Sequence, residues 1–121
     1  MPPVRDPAAL LPLSDAVYLI LLSLAGGERH GYHLMQEVER VTGGRARMGP
    51  GTLYGALKRL LADGLIRETG APRGARDEDS RRRYYTLTAF GHRVLQAEAA
   101  RLDALVTIAR ERGLLPGIRP A

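Results

Sequence analysis

The chain has 121 residues, the length of a single domain, and carries a formal net charge of +5. This basic excess favours a polyanionic partner, nucleic acid before membrane, and the absence of cysteine excludes disulfides, thiolate nucleophiles and thiolate metal sites. The longest apolar run, from Ala16 to Leu22, is too short to span a bilayer, and no signal-peptide cleavage pattern precedes it. The sequence therefore predicts a cytoplasmic protein without a membrane partner.

A proline-rich segment precedes the first predicted helix. Residues 1–13 hold four prolines and are expected to form a flexible, extended or loosely packed arm. Ser14 is a favourable N-cap, and a helix is predicted from Asp15 to about Ala25. Its residues are apolar nearly all round, so this helix must be buried on more than one side.

Two short helices joined by a glycine-containing turn follow. The earlier helix is predicted over residues 31–42, and the later one begins at Pro50 and ends near Gly64. Outside its apolar stripe, the later helix carries side chains that are small, hydrogen-bonding or positively charged, and no acid occurs before Asp63. The stripe consists of Leu53, Leu57, Leu60 and Leu61. The later helix alone also fits an ordinary amphipathic helix with a solvated face, but the pair is typical of a helix-turn-helix.

A β-hairpin with a long polar loop is predicted after the two helices. Residues 65–69 and 83–87 have the composition of strands, and alternation places Tyr84 and Tyr85 on opposite faces of the second strand. Residues 67–83 contain six arginines and four acids, a local excess of positive charge. A basic hairpin directly after a helix-turn-helix is a wing; the alternative is a solvated, mobile loop.

The last predicted helix is capped by Thr88 and extends from Ala89 to about Arg112, with residues 113–121 as a tail. Its apolar residues follow the 4-3-4-3 spacing of a coiled-coil seam. At about 1.5 Å per residue the helix is roughly 35 Å long, more than a small core can cover. We therefore expect a homodimer built from the first and last helices; the alternative is that the last helix packs back on its own domain. The interface residues are predicted to be Leu19, Leu22, Leu95, Ala99, Leu102, Leu105, Val106 and Ala109.

Four motifs in a fixed order make the chain resemble the PadR family of bacterial transcriptional regulators. They are His30-Gly31-Tyr32, Gly49-Pro50-Gly51-Thr52-Leu53-Tyr54, Asp63-Gly64-Leu65-Ile66, and Arg82-Arg83-Tyr84-Tyr85-Thr86-Leu87-Thr88 with Gly91 beyond it. The resemblance implies a mainly α fold with a small β-hairpin: a winged helix-turn-helix domain over residues 14–87 and a dimerisation helix over 88–112. It also implies a recognition helix in the major groove, and the short C-terminal part is similar to the compact branch of the family.

The residues expected to contact DNA come from three elements. They are Gly31, Tyr32, Gly51, Thr52, Tyr54, Gly55, Lys58, Arg59, Arg81, Arg82 and Arg83. Thr52 and Tyr54 can bond base edges or phosphate, whereas Lys58 and Arg59 lie further along the helix and suit phosphate. The alternatives are packing of Tyr54 under the wing and of Tyr32 in the core.

The functional hypothesis is a homodimeric repressor that binds an inverted repeat in double-stranded DNA and is relieved by a small-molecule effector. No nucleophile motif, phosphate loop or paired carboxylates point to an enzyme. The spacing of His30, His33 and His92 gives no metal set, and no cofactor is expected. The alternatives from other classes are a winged-helix protein-interaction module and an RNA-binding module without operator specificity.

Overall fold

The computed structural model describes residues 5–74 and 82–116. In that part, four α-helices and three strands follow a short 3₁₀ helix at Pro7–Leu10. In chain order the elements are α1 (Asp15–Ala25), β1 (Arg29–His30), α2 (Gly31–Val41), α3 (Pro50–Ala62), β2 (Ile66–Thr69), β3 (Tyr84–Leu87) and α4 (Ala89–Glu111). The predicted helices are confirmed, and each of their ends lies within two residues of the expected position.

Side-chain caps fix where the helices begin. The Ser14 hydroxyl accepts from the Val17 amide at the start of α1, and the Thr88 hydroxyl accepts from the Gly91 amide at the start of α4. Each cap satisfies a backbone N–H that has no partner within its helix. Gly64 ends α3 with a φ of +75°, a conformation that suits glycine.

The strands form one antiparallel sheet in the order β1-β3-β2. Ile66 pairs with Leu87 across β2 and β3, and the two-residue strand β1, which the sequence analysis misses, pairs with the other edge of β3. Tyr84 and Tyr85, which are predicted on opposite faces of the strand, are both buried. The ring centroids of Tyr84 and His30 lie 5.3 Å apart, so His30 helps to cover Tyr84.

The core lies where α1, α2 and α3 meet the sheet and the first turns of α4. Its fully or nearly fully buried members include Ile20, Leu21, Leu34, Leu53, Leu57, Leu60, Tyr85 and Val94. In α3 the stripe differs from the predicted one: Ala56 is buried, whereas Leu61 is 37% exposed. The buried face of α3 is rotated about the helix axis from the predicted stripe, toward Ala56 and away from Leu61, which lies in the last turn.

Residues 5–13 pack on the domain, which differs from the loose arm expected of four prolines. The 3₁₀ helix packs against α4. The Arg5 guanidinium donates to the Asp63 carbonyl at the end of α3 and lies 4.4 Å from the centre of the Phe90 ring. The Leu13 amide donates to the buried carboxylate of Glu98 at 2.6 Å. The expected loose arm is wrong here because long-range polar contacts fix this segment.

The second half of α4 extends away from the rest of the domain. Its buried residues lie between Gly91 and Glu98, whereas Leu105 and Ile108 are 51% and 52% exposed. On α1, Leu22 is 40% exposed. The first half of α4 therefore packs on its own domain, whereas the second half leaves apolar side chains exposed. Within the described ranges, no helix combines the length and apolarity needed to cross a membrane.

Candidate nucleic-acid interface

The exposed face of α3 is the centre of the candidate interface. The six residues predicted on this helix are all exposed: Gly51, Thr52, Tyr54, Gly55, Lys58 and Arg59. Because successive residues are about 100° apart, Gly55 and Lys58 lie opposite the buried stripe. Thr52 and Arg59 lie on one flank, the side of the N-terminal segment, and Tyr54 lies on the other. The outermost side chains of the helix are therefore small or positively charged, and a hydroxyl group lies on each flank.

Tyr54 bridges α3 and the beginning of α2. Half of its surface is exposed, and the rest of the ring packs over Gly31, which is itself buried. A cavity of about 130 Å³ lies beside this contact and is also lined by Tyr32, Arg83 and Tyr85. Tyr54 therefore packs beside the wing base with its hydroxyl end nearest Gly31, while half of its surface stays exposed.

The first turn of α2 adds a second exposed tyrosine. Tyr32 is 50% exposed, so the alternative of core packing is wrong. The Arg82 guanidinium carbon lies 5.4 Å from the centre of the Tyr32 ring, within the range of a cation–π contact. His30 caps this helix, with its Nδ1 accepting from the His33 amide at 3.0 Å. These contacts join the start of α2 to the base of the wing.

The described base of the wing carries two of the three predicted arginines. Arg82 and Arg83 are both exposed, and the Arg83 guanidinium lies 3.5 Å from the Glu68 carboxylate. Arg81 and the loop tip lie outside the described residues. Burial raises the pKa of Tyr85 beneath this ion pair, and the Glu68 carboxylate acts in the same direction. Tyr85 is therefore a buried, uncharged residue at the base of the wing.

Arg47 is a basic residue of this region that is absent from the predicted set. The Arg47 guanidinium lies 3.4 Å from the Glu39 carboxylate, and its side chain is 80% exposed. Both residues line a groove with Tyr32 and Gln36 between α2 and the start of α3. The signal was the Arg45-Ala46-Arg47 run directly before the recognition helix. Pairing with Arg47 compensates the negative charge of Glu39, which would otherwise repel phosphate.

A buried acid fixes the orientation of α2 relative to α1. The Arg40 guanidinium donates two hydrogen bonds to Glu37 and thereby lowers the pKa of that carboxyl. On the other side, the Arg29 guanidinium lies 3.8 Å from Glu37 and donates to the Ser23 carbonyl at the end of α1. Glu37 is thus a paired structural carboxylate.

The arrangement suits recognition of a polyanion. Basic and hydroxyl side chains from α2, α3 and the wing base share one continuous region around Tyr32 and Tyr54. Among the residues described, no three His, Cys, Asp or Glu side chains come together as a metal site would require. What the surface offers is hydrogen bonding and positive charge.

A family model of the transcriptional regulator PadR-like family matches residues 20–97. Among curated proteins, the uncharacterized 37.1 kDa protein in transposon TN4556 of Streptomyces fradiae is 42% identical over 96 residues. This match covers 77% of the chain and 25% of the relative, so the chain spans about a quarter of that protein's length.

Solved structures show the same fold. A PadR family transcription regulator from Clostridium difficile superposes with a TM-score of 0.68 at 24% identity, covering 81% of this chain and 97% of that one. Bacillus subtilis PadR in complex with operator DNA superposes with a TM-score of 0.58 at 27% identity, covering 71% of this chain and 47% of that one. Because the family model matches more than half of the sequence, the chain belongs to the PadR-like family of transcriptional regulators.

Proposed function

We propose that the protein is a sequence-specific DNA-binding transcriptional regulator that inserts α3 into the major groove. The observation that carries this proposal is the exposed face of α3, which is small and positive and has no acid. It is flanked by the first turn of α2 and the wing base, both of which can hold the phosphate backbone. The relative from Bacillus subtilis was solved with operator DNA, which supports DNA binding by this chain. Such an activity belongs in the cytoplasm, where the bacterial chromosome lies.

The test is binding to duplexes selected from a randomised pool, together with the DNA upstream of the protein's own gene. Each duplex is compared with a scrambled one of equal length over a range of salt concentrations. We expect preference for particular duplexes and an affinity that falls steeply with salt. Equal binding to every duplex would contradict a sequence-specific regulator. Tighter binding to RNA or to a protein partner would favour the alternative modules.

Two substitutions on α3 should separate phosphate binding from base reading. Lys58→Ala should weaken all duplexes alike and reduce the salt slope by about one unit, because one phosphate contact is lost. Thr52→Ala should change the ranking of related duplexes by about 1–3 kcal/mol, because the proposal has its exposed hydroxyl bond to base edges. Both are measured by fluorescence anisotropy on the same duplex panel. Equal losses on preferred and scrambled DNA for both variants would refute this division.

We further propose that the protein acts as a homodimer through α4 and α1. The exposed apolar side chains Leu105 and Ile108 on α4 and Leu22 on α1 support this, since a single copy leaves them in water. Two recognition helices about 34 Å apart would read an inverted repeat and occlude a promoter, which is the action of a repressor.

Leu105→Glu and Ile108→Glu should each convert the protein to a monomer and weaken operator binding about 100-fold or more, because one of two linked half-sites is lost. Sedimentation velocity reports the mass and anisotropy reports the binding. Thr107→Glu is the matched control: its exposed side chain lies on the other side of the same turn. A monomeric wild-type protein, or a dimer that survives both substitutions, would refute this interface.

Relief by a small-molecule effector completes the proposal. A ligand that shifts α4 against α1 would change the separation of the recognition helices and so release DNA. In a single copy, Phe90 lies under the Arg5 guanidinium, while His92 lines an open cavity of about 530 Å³ at the end of α1. A compound that lowers operator affinity while leaving the dimer intact would identify such an effector.

A further inference from the structure

We propose that Gly31 is a positioning residue for sequence recognition: the space above its α-carbon holds the Tyr54 ring and so fixes the orientation of that tyrosine on the recognition helix. This inference rests on the proposed DNA-binding function and extends it. The motif-based expectation gives Gly31 a direct contact with the DNA backbone. The structure assigns it an indirect role, acting through Tyr54.

The Tyr54 ring fills the space that a side chain at position 31 would occupy. A β-carbon built on Gly31 would lie 2.7 Å from the Tyr54 hydroxyl oxygen and 3.0 Å from both Cε1 and Cζ of that ring. The three nearest heavy atoms to that position all belong to Tyr54. Separations under about 3.4 Å are too short for carbon atoms in van der Waals contact.

The backbone of Gly31 does not itself require glycine. Gly31 lies in the first turn of α2 and is not among the glycines with positive φ. Alanine would be the better helix former at such a position. The feature that needs a missing side chain is therefore the tyrosine ring above it.

Tyr54 also borders a cavity and remains half exposed, so a ligand can reach it. The cavity beside it is lined by Tyr85 and Arg83 from β3 and the wing base. Half of the Tyr54 surface faces solvent on the flank of α3. A methyl group at position 31 would tilt the ring toward the wing or the DNA and displace its hydroxyl, which is the atom that can donate to a base or a phosphate.

A double-mutant cycle tests this mechanism. Gly31→Ala, Tyr54→Ala and the double variant are measured against preferred and scrambled duplexes, with Gln96→Ala as the control, because Gln96 is exposed on α4, outside the proposed DNA-binding surface. The steric control is Gly70→Ala, since a β-carbon at Gly70 meets nothing within 4 Å and its φ is not positive. We expect Gly31→Ala to reduce discrimination about tenfold and to have no further effect in the Tyr54→Ala background. Losses that add in the double variant would show that Gly31 acts independently of Tyr54 and would overturn the inference, as would unchanged discrimination in Gly31→Ala.

A second readout needs no DNA. The chain has five tyrosines, so incorporation of 3-fluorotyrosine gives resolvable ¹⁹F signals, and the Tyr54 signal is assigned by its loss in Tyr54→Phe. Gly31→Ala should move that signal and Gly70→Ala should not; an unmoved signal overturns the inference. If Gly31→Ala fails to fold, the double variant should fold again, and failure of both also overturns it. A wild-type protein without duplex preference would instead refute the proposed function, and the ¹⁹F shift would still decide the contact.

Discussion

Gly91→Ala is expected to lower the free energy of unfolding by about 3 kcal/mol or more. A β-carbon at Gly91 would lie 1.9 Å from the carbonyl oxygen of Leu65 and 2.8 Å from its carbonyl carbon. Both atoms belong to the backbone, so no side-chain rotation can relieve the clash. The first turn of α4 would have to move off the loop that ends α3.

Urea unfolding followed by circular dichroism measures this loss. The matched control is Gly55→Ala, a glycine in a helix where a β-carbon meets nothing within 4 Å. That variant should gain about 0.5–1 kcal/mol, because alanine favours the helix. Opposite signs for the same substitution in two helices would establish the close approach at Gly91. A similar gain in both variants would refute it.

Glu98→Gln is expected to cost about 1–3 kcal/mol at neutral pH, because the buried carboxylate accepts charge-assisted and backbone hydrogen bonds. Glu98 is 1% exposed, and its oxygens accept from the Arg101 guanidinium and from the Leu13 amide. The variant keeps the shape of the side chain and removes the charge. The substitution should therefore weaken the attachment of the N-terminal segment to α4.

The same variant should alter how stability depends on pH. The hydrogen bond from Arg101, opposed by burial and aided by the Leu13 amide, lowers the pKa of Glu98 below its ordinary value of 4.5. A carboxyl with a lowered folded-state pKa contributes its full stabilisation above its unfolded pKa and loses it as pH falls through the folded value. Wild type and Glu98→Gln should therefore differ most above pH 4.5 and converge at lower pH.

Thermal unfolding at a series of pH values checks this convergence. Glu111→Gln is the control, since Glu111 is exposed in the last turn of the same helix. Glu37, whose pKa is also lowered, loses its own contribution in the same acidic range in every variant, so the difference between curves isolates Glu98. A difference that stays constant down to low pH would mean that lost packing, and not the charge, causes the destabilisation.

Local signals in the sequence were sufficient for the helices of this fold. Ser14 and Thr88 cap helices by bonding amides three residues away, and Pro50 and Gly64 mark the two ends of α3 by their own backbone preferences. Each of these is a short-range effect that depends on residue type alone. Strand β1 has two residues, too few for any alternation to be visible.

Contacts between distant segments could not be predicted in this way. Glu98 occupies a position that periodicity leaves unremarkable, and its partner Leu13 is 85 residues away. Nothing local to Gly91 indicates that the Leu65 carbonyl will lie against it. A burial pattern can say that a face is covered, but it cannot say which backbone atom covers it.

In the candidate site, too, features set within one helix were predictable and contacts between helices were not. The exposure of Lys58 and Thr52 follows from helical geometry and the leucine spacing, so both were predictable as surface residues of α3. The contact of Tyr54 with Gly31 depends on how α2 crosses α3, which no pattern within either helix specifies. Whether these residues touch DNA as predicted stays a prediction that the proposed variants test.

The junction between α3 and α4 has a mechanical consequence. The Thr88 hydroxyl donates to the Gly64 carbonyl at 2.6 Å, the Thr88 amide donates to the Leu65 carbonyl, and Gly91 lies flush against the same loop. Because α4 has 23 residues, it forms a stiff lever arm of about 35 Å on this joint. A tilt of about 5° at the joint moves the far end by roughly 3 Å, and the reverse holds when the far end is displaced. In the proposed dimer, a displacement of the distal end of α4 therefore rotates the recognition helix, because the joint between the two helices is tightly packed.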